Sequence, residues 1–323
     1  MSTAFTPLAL GVFVLGGLIL LGAANRPATD ATPPPAATDA GPELFALEHW
    51  ELSEQAARGR AVYEQSCIGC HGDTGLGDGL AGAWLDPKPR NFQRGAFKFR
   101  STPSGELPTL DDVVHVITCG LQGSAMRSFP LMPERQRQDV AKYVLELVEF
   151  GLMKYEVDDL ILSDDMTLAE VFEEEYEELY EETVFDAWEE VWPVQAPLAP
   201  DRDEESLEIG RALYEKQCVA CHGATGKGDG SSSFSLRDWK DAPIRARDFT
   251  SGVFRAGSSP ADIWKRLRTG LNGTPMPAIY GSDEDLWHLT HYILSLKDPD
   301  APGRLHPTAC ENHDGGSAEG ADR

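Results

Sequence analysis

The sequence predicts an all-α protein in which one small helical module is used twice, behind an N-terminal hydrophobic helix. Three observations lead there. A 22-residue stretch recurs, as RGRAVYEQSCIGCHGDTGLGDG at Arg58–Gly79 and as IGRALYEKQCVACHGATGKGDG at Ile209–Gly230. Within each copy the apolar residues follow helical spacing between recognisable caps, and no alternating strand pattern of useful length occurs. An unbroken run of apolar and small residues, Leu8–Ala24, precedes both copies.

The apolar run is slightly short of the ~20 residues that a straight spanning helix needs, and nearer that length with Phe5–Pro7 included. Residues 1–24 read as an uncleaved membrane anchor, with a cleaved signal peptide as the alternative because Gly22-Ala23-Ala24 offers small residues for cleavage. No Lys or Arg precedes the run and Arg26 follows it, so flanking charge does not set its orientation. Residues 25–47 carry Pro27, Pro33, Pro34, Pro35 and Pro42 among Ala, Thr and Asp, a tether of up to ~3.1 Å per residue that cannot build a core.

Each module then reads as three helices. The first spans about Ser53–Ser66 and Glu204–Gln217 and ends at the cysteine motif. Its Gly59/Tyr63 and Gly210/Tyr214 pairs offer close backbone approach beside an aromatic ring. The second is punctuated in copy two by Ser259 as N-cap, Pro260 at the first helical position, Asp262 in the first turn and Gly270 as the stop, and in copy one by Thr109, Asp111, Asp112 and Gly120. The closing helix runs from about Glu134 to Phe150 with Val140, Val144, Leu145 and Val148 on one face, and from Asp283 to Leu296 with Leu286, Leu289, Ile293 and Leu296 on one face. Ser282 with Asp285 resembles a capping box. The copies also share Arg90-Asn91-Phe92 with Arg247-Asp248-Phe249, Phe99-Arg100 with Phe254-Arg255, and GLQGSAM with GLNGTPM. About 100 residues with so few helices make a thin core unless a cofactor fills it.

Composition is globular, but 28 basic against 53 acidic residues give a formal charge of −25, which repels phosphate backbones and argues against nucleic-acid binding. Six cysteines in 323 residues are too few for a disulfide scaffold. Four of them form Cys67-Ile68-Gly69-Cys70-His71 and Cys218-Val219-Ala220-Cys221-His222, and C-x-x-C-H reads as covalent haem c attachment. Two cysteines three positions apart can each take a haem vinyl group as a thioether, while the adjacent histidine presents an imidazole to the iron. A zinc reading would need four ligands, and no further Cys or His recurs at matching positions. The sixth iron position asks for a ligand from across the ring, and Met126 and Met276 supply one, 55 and 54 residues beyond His71 and His222. Met132 and Met153 compete with Met126, where Arg127 stands in place of Pro277. Arg90 and Arg247 recur at equivalent points and suit haem propionates, with surface arginines as the alternative. Trp84 and Trp239 are candidate pocket walls, and His115, His288 and His291 read as packing or surface residues. Cys119 and Cys310 lack counterparts and are either disulfide-bonded or free thiols.

Through CHGDTGLGDG, CHGATGKGDG, RDFTSGVFRAG and GLNGTPMPAI, over about Trp50–Phe150 and Ser206–Lys297, the sequence resembles tandem dihaem class I cytochromes c of the membrane-anchored respiratory type. The resemblance implies two cytochrome c-like domains, two haem c groups ligated by His71/Met126 and His222/Met276, and helical domains on the periplasmic or other extracytoplasmic side. The expected organisation is an anchor or signal at 1–24, a linker at 25–47, domain 1 at 48–155, an acidic segment at 156–204, domain 2 at 205–298 and a flexible tail at 299–323.

The acidic segment departs from the family pattern. Glu156–Glu190 holds sixteen acidic residues and no Lys or Arg, which leaves −9 for the rest of the chain. Interleaved aromatic and aliphatic residues predict an amphipathic helix around Leu168–Glu190, serving as a solubilising linker or as a docking surface for a basic redox partner. The leading functional expectation is an electron carrier between respiratory partners rather than an enzyme. The alternatives are a dihaem peroxidase-like enzyme, which needs an open iron, and an electron-entry subunit of a haem-copper oxidase or molybdenum oxidoreductase complex.

Overall fold

The computed structural model describes residues 42–189 and 191–301; the expected apolar helix at 1–24, most of the 25–47 linker and nearly all of the tail lie outside the described residues. Helices dominate, and the strand-type pairing among the described residues is one isolated bridge, Arg237 with Pro243. No helix among these residues is long and apolar enough to cross a membrane.

The first module consists of α1 (Glu54–Ser66), the one-turn α2 (Ile68–His71), α3 (Leu110–Cys119) and α4 (Glu134–Ser163). An arm follows: α5 (Leu168–Glu174), α6 (Tyr176–Tyr180), a π turn at Glu181–Phe185 and α7 (Asp186–Glu189). The second module repeats the first as α8 (Glu204–Gln217), α9 (Val219–His222), α10 (Pro260–Thr269) and α11 (Asp283–Ser295). The helices start where short polar side chains accept the backbone N–H three residues on. Ser53, Thr109, Asp203, Ser259 and Ser282 all do so, with reciprocal capping boxes at Thr109, Ser259 and Ser282. Gly120 and Gly270 stop α3 and α10 at φ of 66° and 65°, where a side chain would be strained.

In each module the first helix crosses the last at a glycine. A Cβ on Gly59 would lie 1.9 Å from the Asp139 carbonyl oxygen on α4, and one on Gly210 would lie 2.1 Å from the His288 carbonyl oxygen on α11. Tyr63 meets Tyr143 edge-on beside that crossing at 5.1 Å, and Tyr214 meets Tyr292 in a tilted contact at 5.2 Å. Val140, Val144, Leu145 and Val148 are buried as their spacing predicts, as are Leu286, Leu289 and Ile293.

Three expectations need correction. First, α4 does not end at Phe150 but continues to Ser163, across the expected domain edge at 155. Gly151 is no stop signal there: its missing Cβ lets the short helix at Phe92–Arg94 approach, since a Cβ would sit 2.1 Å from the Gln93 carbonyl oxygen. Second, the acidic stretch is neither one helix nor a free linker. Leu168, Val171 and Val184 are buried with Phe45, Trp50, Phe150, Met153, Val157 and Ile161, so the arm and the chain just before α1 form a third core. Glutamates four apart across the break at Glu175, Glu173/Glu177 and Glu174/Glu178, would repel along a continuous helix and favour an interruption there. Third, the copies align differently beyond Phe92. Phe92–Phe97 and Phe249–Phe254 stack equivalently at 5.9 and 5.8 Å, and Gly95 and Gly252 share φ near 62°–63°. Lys98, not Arg100, is therefore the counterpart of Arg255.

The extended segment after the arm ties the modules together. Val194 donates its N–H to the Ser101 carbonyl oxygen at 2.7 Å, while Val194 and Ala196 pack on the second module's core.

Candidate functional site

Both motif histidines sit at the end of a single helical turn that the preceding long helix feeds directly. Tyr63 and Tyr214 lock that turn from behind: each hydroxyl donates to a carbonyl oxygen just past the histidine, Gly72 and Gly223, at 2.7 Å in both modules. Burial raises both phenols far above their usual range, so they remain donors. The glycine-rich loop then folds back under the motif. Gly77 and Gly228 donate their N–H groups to the carbonyl oxygens of His71 and His222 at 2.8 Å.

The imidazoles are held on two sides. His71 Nδ1 lies 3.3 Å from the Arg90 carbonyl oxygen and His222 Nδ1 lies 3.1 Å from that of Arg247. A carbonyl only accepts, so these contacts place the proton on Nδ1 and the lone pair on Nε2, the form a metal-ligating histidine needs. Phe92 and Phe249 stack on the rings at 4.5 and 4.3 Å, with interplanar angles of 18° and 16°. Burial lowers both histidine pKa values, which keeps the rings neutral.

Cys67, Cys70, Cys218 and Cys221 are unbridged. Burial pushes the Cys67 thiol up to about 11 and the Cys218 thiol up to about 12, the opposite of the depressed value a thiol–disulfide exchange site requires. No group of three or more His, Cys, Asp or Glu side chains suited to a metal ion exists among the described residues.

The methionines ride on matching loops. Leu121 donates to the Met126 carbonyl oxygen at 2.9 Å and Leu271 to that of Met276 at 3.0 Å, while Ser124 Oγ and Thr274 Oγ1 accept the methionine N–H groups at 3.3 and 3.2 Å. Met126 packs on the same apolar cluster as Cys67 and Ile68, and Met276 on the same cluster as Cys218 and Val219. Each module thus brings its cysteine motif and its methionine onto one core. Met153 is fully buried in the third core, away from that constellation, whereas Met132 shares Met126's cluster.

Arg90 and Arg247 contribute first through their backbone carbonyls, a role no side-chain pattern announces; only the recurrence of the position does. The Arg90 guanidinium is held below its ordinary pKa by burial, against the pull of Asp238, and the Lys98 ammonium is pushed down by burial and by Arg90 to about 8. Neither has a hydrogen-bond or ion-pair partner among the described residues, which is the setting an anionic carboxylate would complete. Trp84 is 88 % exposed. Trp239 is half-buried beneath the Arg94 guanidinium at 4.4 Å. His288 and His291 share the Ser206 hydroxyl at 2.8 Å each, as packing residues. Cys119 is disulfide-bonded, and Cys310 lies outside the described residues. A cavity of about 470 Å³ beneath the arm, lined by Trp50, Lys142, Glu146, Glu149 and Tyr180 among others, includes no residue of either motif.

The donor set therefore fits haem c in both modules: a thiol pair, a neutral imidazole with Nε2 left for iron, and a methionine on the same core. Comparison with known proteins agrees. Residues 54–144 match the family described as cytochrome C oxidase, cbb3-type, subunit III, and residues 207–297 match the family cytochrome c. The Cbb3-type cytochrome c oxidase subunit CcoP of Rubrivivax gelatinosus is 28% identical over 99 residues, 29% of this chain, and the match spans only 27% of that relative's length. A chain of the Kuenenia stuttgartiensis reducing HAO-like protein complex Kustc0457/Kustc0458 superposes with a TM-score of 0.60 at 37% identity, covering 76% of this chain and 97% of that one. Since each half of the repeat finds a cytochrome family on its own, the chain belongs to the c-type cytochromes, as two cytochrome c-type domains in tandem.

Proposed function

We propose that the chain is a dihaem c-type cytochrome that passes single electrons between protein redox partners, with no substrate turnover at either iron. When bound, haem c supplies a one-electron iron couple. Cys67 and Cys70, and Cys218 and Cys221, would hold the two groups through sulfur. His71 and His222 would ligate from one side and Met126 and Met276 from the other, while Arg90 and Arg247 would neutralise propionates. The observation that carries this reading is the doubled histidine geometry, in which a carbonyl fixes Nδ1 and a phenylalanine fixes the ring plane twice over. Ferrous protein should neither bind carbon monoxide nor reduce peroxide catalytically. An iron open to carbon monoxide in the native protein would move the reading to a peroxidase-like enzyme.

On the same reading residues 1–24 anchor the chain and 25–47 tether it, with domain 1 at 48–155, domain 2 at 205–298 and both haem domains on the periplasmic side. The names of the two relatives, an oxidase subunit and a member of a protein complex, favour a second possibility in which this chain is the electron-entry subunit of a larger assembly. The arm supports a basic partner. Glu170, Glu174, Glu177, Glu181 and Glu182 are exposed, as are the rings of Tyr155, Phe185 and Trp192. Electron transfer to such a partner should slow steeply with ionic strength, and charge-neutral substitutions at those glutamates should flatten that dependence.

A further inference from the structure

The two modules meet at their methionine loops. Arg255 of the second module donates from Nε to the Gln122 carbonyl oxygen at 3.3 Å and from a terminal nitrogen to the Gly123 carbonyl oxygen at 3.0 Å, inside the loop that carries Met126. In the other direction, the Arg100 guanidinium of the first module, 5 % exposed, donates to the Thr269 carbonyl oxygen at 3.0 Å, where α10 gives way to the Met276 loop. Asn272 in that loop accepts the Gly105 N–H at 3.2 Å and donates to the Glu106 carbonyl oxygen at 3.4 Å. Gln122 and Asn272 are equivalent positions in GLQGSAM and GLNGTPM.

These contacts add to the loops' own wiring, which at the Met276 loop includes the Trp239 N–H donating to the Gly273 carbonyl oxygen at 3.3 Å. Within its module, Leu121 and Ser124 close the Met126 loop through bonds inside the loop itself. Gly120 and Gly123 adopt φ of 66° and 72°, so the backbone there has the widest conformational choice. An arginine gripping two successive carbonyls removes that freedom from outside. Burial lowers the Arg255 pKa, yet the guanidinium stays charged at neutral pH, which strengthens both bonds relative to neutral donors.

We propose that each module positions the other's axial methionine: Arg255 holds the Met126 loop against the first iron site, and Arg100 with Asn272 holds the Met276 loop against the second. The inference rests on Met126 and Met276 being the axial ligands. It makes the interface between modules a determinant of methionine ligation, and therefore of potential, at both centres. A gap opened on one side loosens the ligand on the other. Arg255 and Asn272 are positioning residues, since neither needs to touch the haem.

The test uses the full-length dihaem protein. Oxidised wild type, Arg255→Gln, Arg255→Lys and Asn272→Ala are compared by the sulfur-to-iron charge-transfer band, by carbon monoxide binding to the ferrous form and by midpoint potential, with circular dichroism to verify folding. Arg255→Gln should open the first site alone, with about a tenfold rise in the ratio of open to methionine-bound iron, the scale of one charge-assisted hydrogen bond. Arg255→Lys should restore part of the signal, and Asn272→Ala should loosen the second site and spare the first. A wild type with two methionine bands and a folded Arg255→Gln variant indistinguishable from it would overturn the inference alone. A wild type with no methionine band would overturn the axial assignment and the inference together.

Discussion

Replacing Gly210 by alanine isolates the helix crossing that presents the second cysteine motif. The new Cβ would lie 2.1 Å from the His288 carbonyl oxygen, 2.7 Å from its carbon and 2.8 Å from Tyr292 Cβ. The nearest neighbours are backbone atoms, so no rotamer change relieves the contact, and α8 must move off α11 by about 1 Å. A gap of that size forfeits roughly a quarter to a half of the dispersion well for atoms along the crossing. Tyr214, Leu286, Leu289 and Ile293 are buried in that core. Overpacking costs about 1–3 kcal/mol and the top of that range applies to a backbone clash, while alanine returns about 1 kcal/mol of helix propensity. The expected net loss is about 2 kcal/mol, or roughly 10 °C in the melting temperature of a 100-residue domain. Gly69→Ala is the control, because a Cβ there meets nothing within 4 Å. Denaturant unfolding followed at the haem absorption should separate the two variants clearly. Equal stability of Gly210→Ala and Gly69→Ala would refute the close-crossing account.

Met276→Ala should leave both haems covalently attached while opening the second iron to carbon monoxide and lowering its potential; absorption spectra before and after gas addition check this. Val171→Asp places a carboxylate in the third core and should detach the arm, exposing the Trp50 and Trp188 environments to quenching and lowering stability by about 2–4 kcal/mol in denaturant titration. Ser282 donates its N–H and hydroxyl to Asp285 at 2.9 and 2.8 Å, and these bonds hold that carboxyl below its usual range. Because the folded value is the lower one, the cap stabilises α11 fully at neutral pH and its contribution disappears as the carboxyl is protonated on acidification. Ser282→Ala should therefore show a shallower loss of stability between neutral and acid pH than wild type.

Features carried by residue type and spacing were legible in the sequence. The Ser259-Pro260-Asp262 start and the Gly270 stop of α10 each act locally, and the cysteine motifs, the methionine loops and the Gly59 and Gly210 crossings recur at fixed intervals. Features carried by backbone atoms or by long-range burial were not. The Arg90 and Arg247 carbonyls that orient the histidines have no side-chain signature, and neither do the Gln122, Gly123 and Thr269 carbonyls that bind across the interface. The extension of α4 past Phe150 to Ser163 is carried by burial of Met153, Val157 and Ile161 against the arm, which no local signal announces. The amphipathic pattern of the arm is legible, but its interruption at Glu175 and its docking are not, because Phe45 and Trp50, on which Val171 and Val184 pack, lie more than a hundred residues earlier. Phe97-Lys98 and Phe99-Arg100 are both aromatic–basic pairs, and the equal spacing of Phe92–Phe97 and Phe249–Phe254, the shared ring stack and the matching φ of Gly95 and Gly252 together make the first pair the counterpart of Phe254-Arg255.

Intact mass of the matured protein under denaturing conditions tests the central claim most directly, because only covalently attached groups survive. Two haem masses per chain are expected, falling to one when Cys218 and Cys221 are both replaced by alanine. A single haem or none on correctly matured wild-type chain would contradict a dihaem cytochrome.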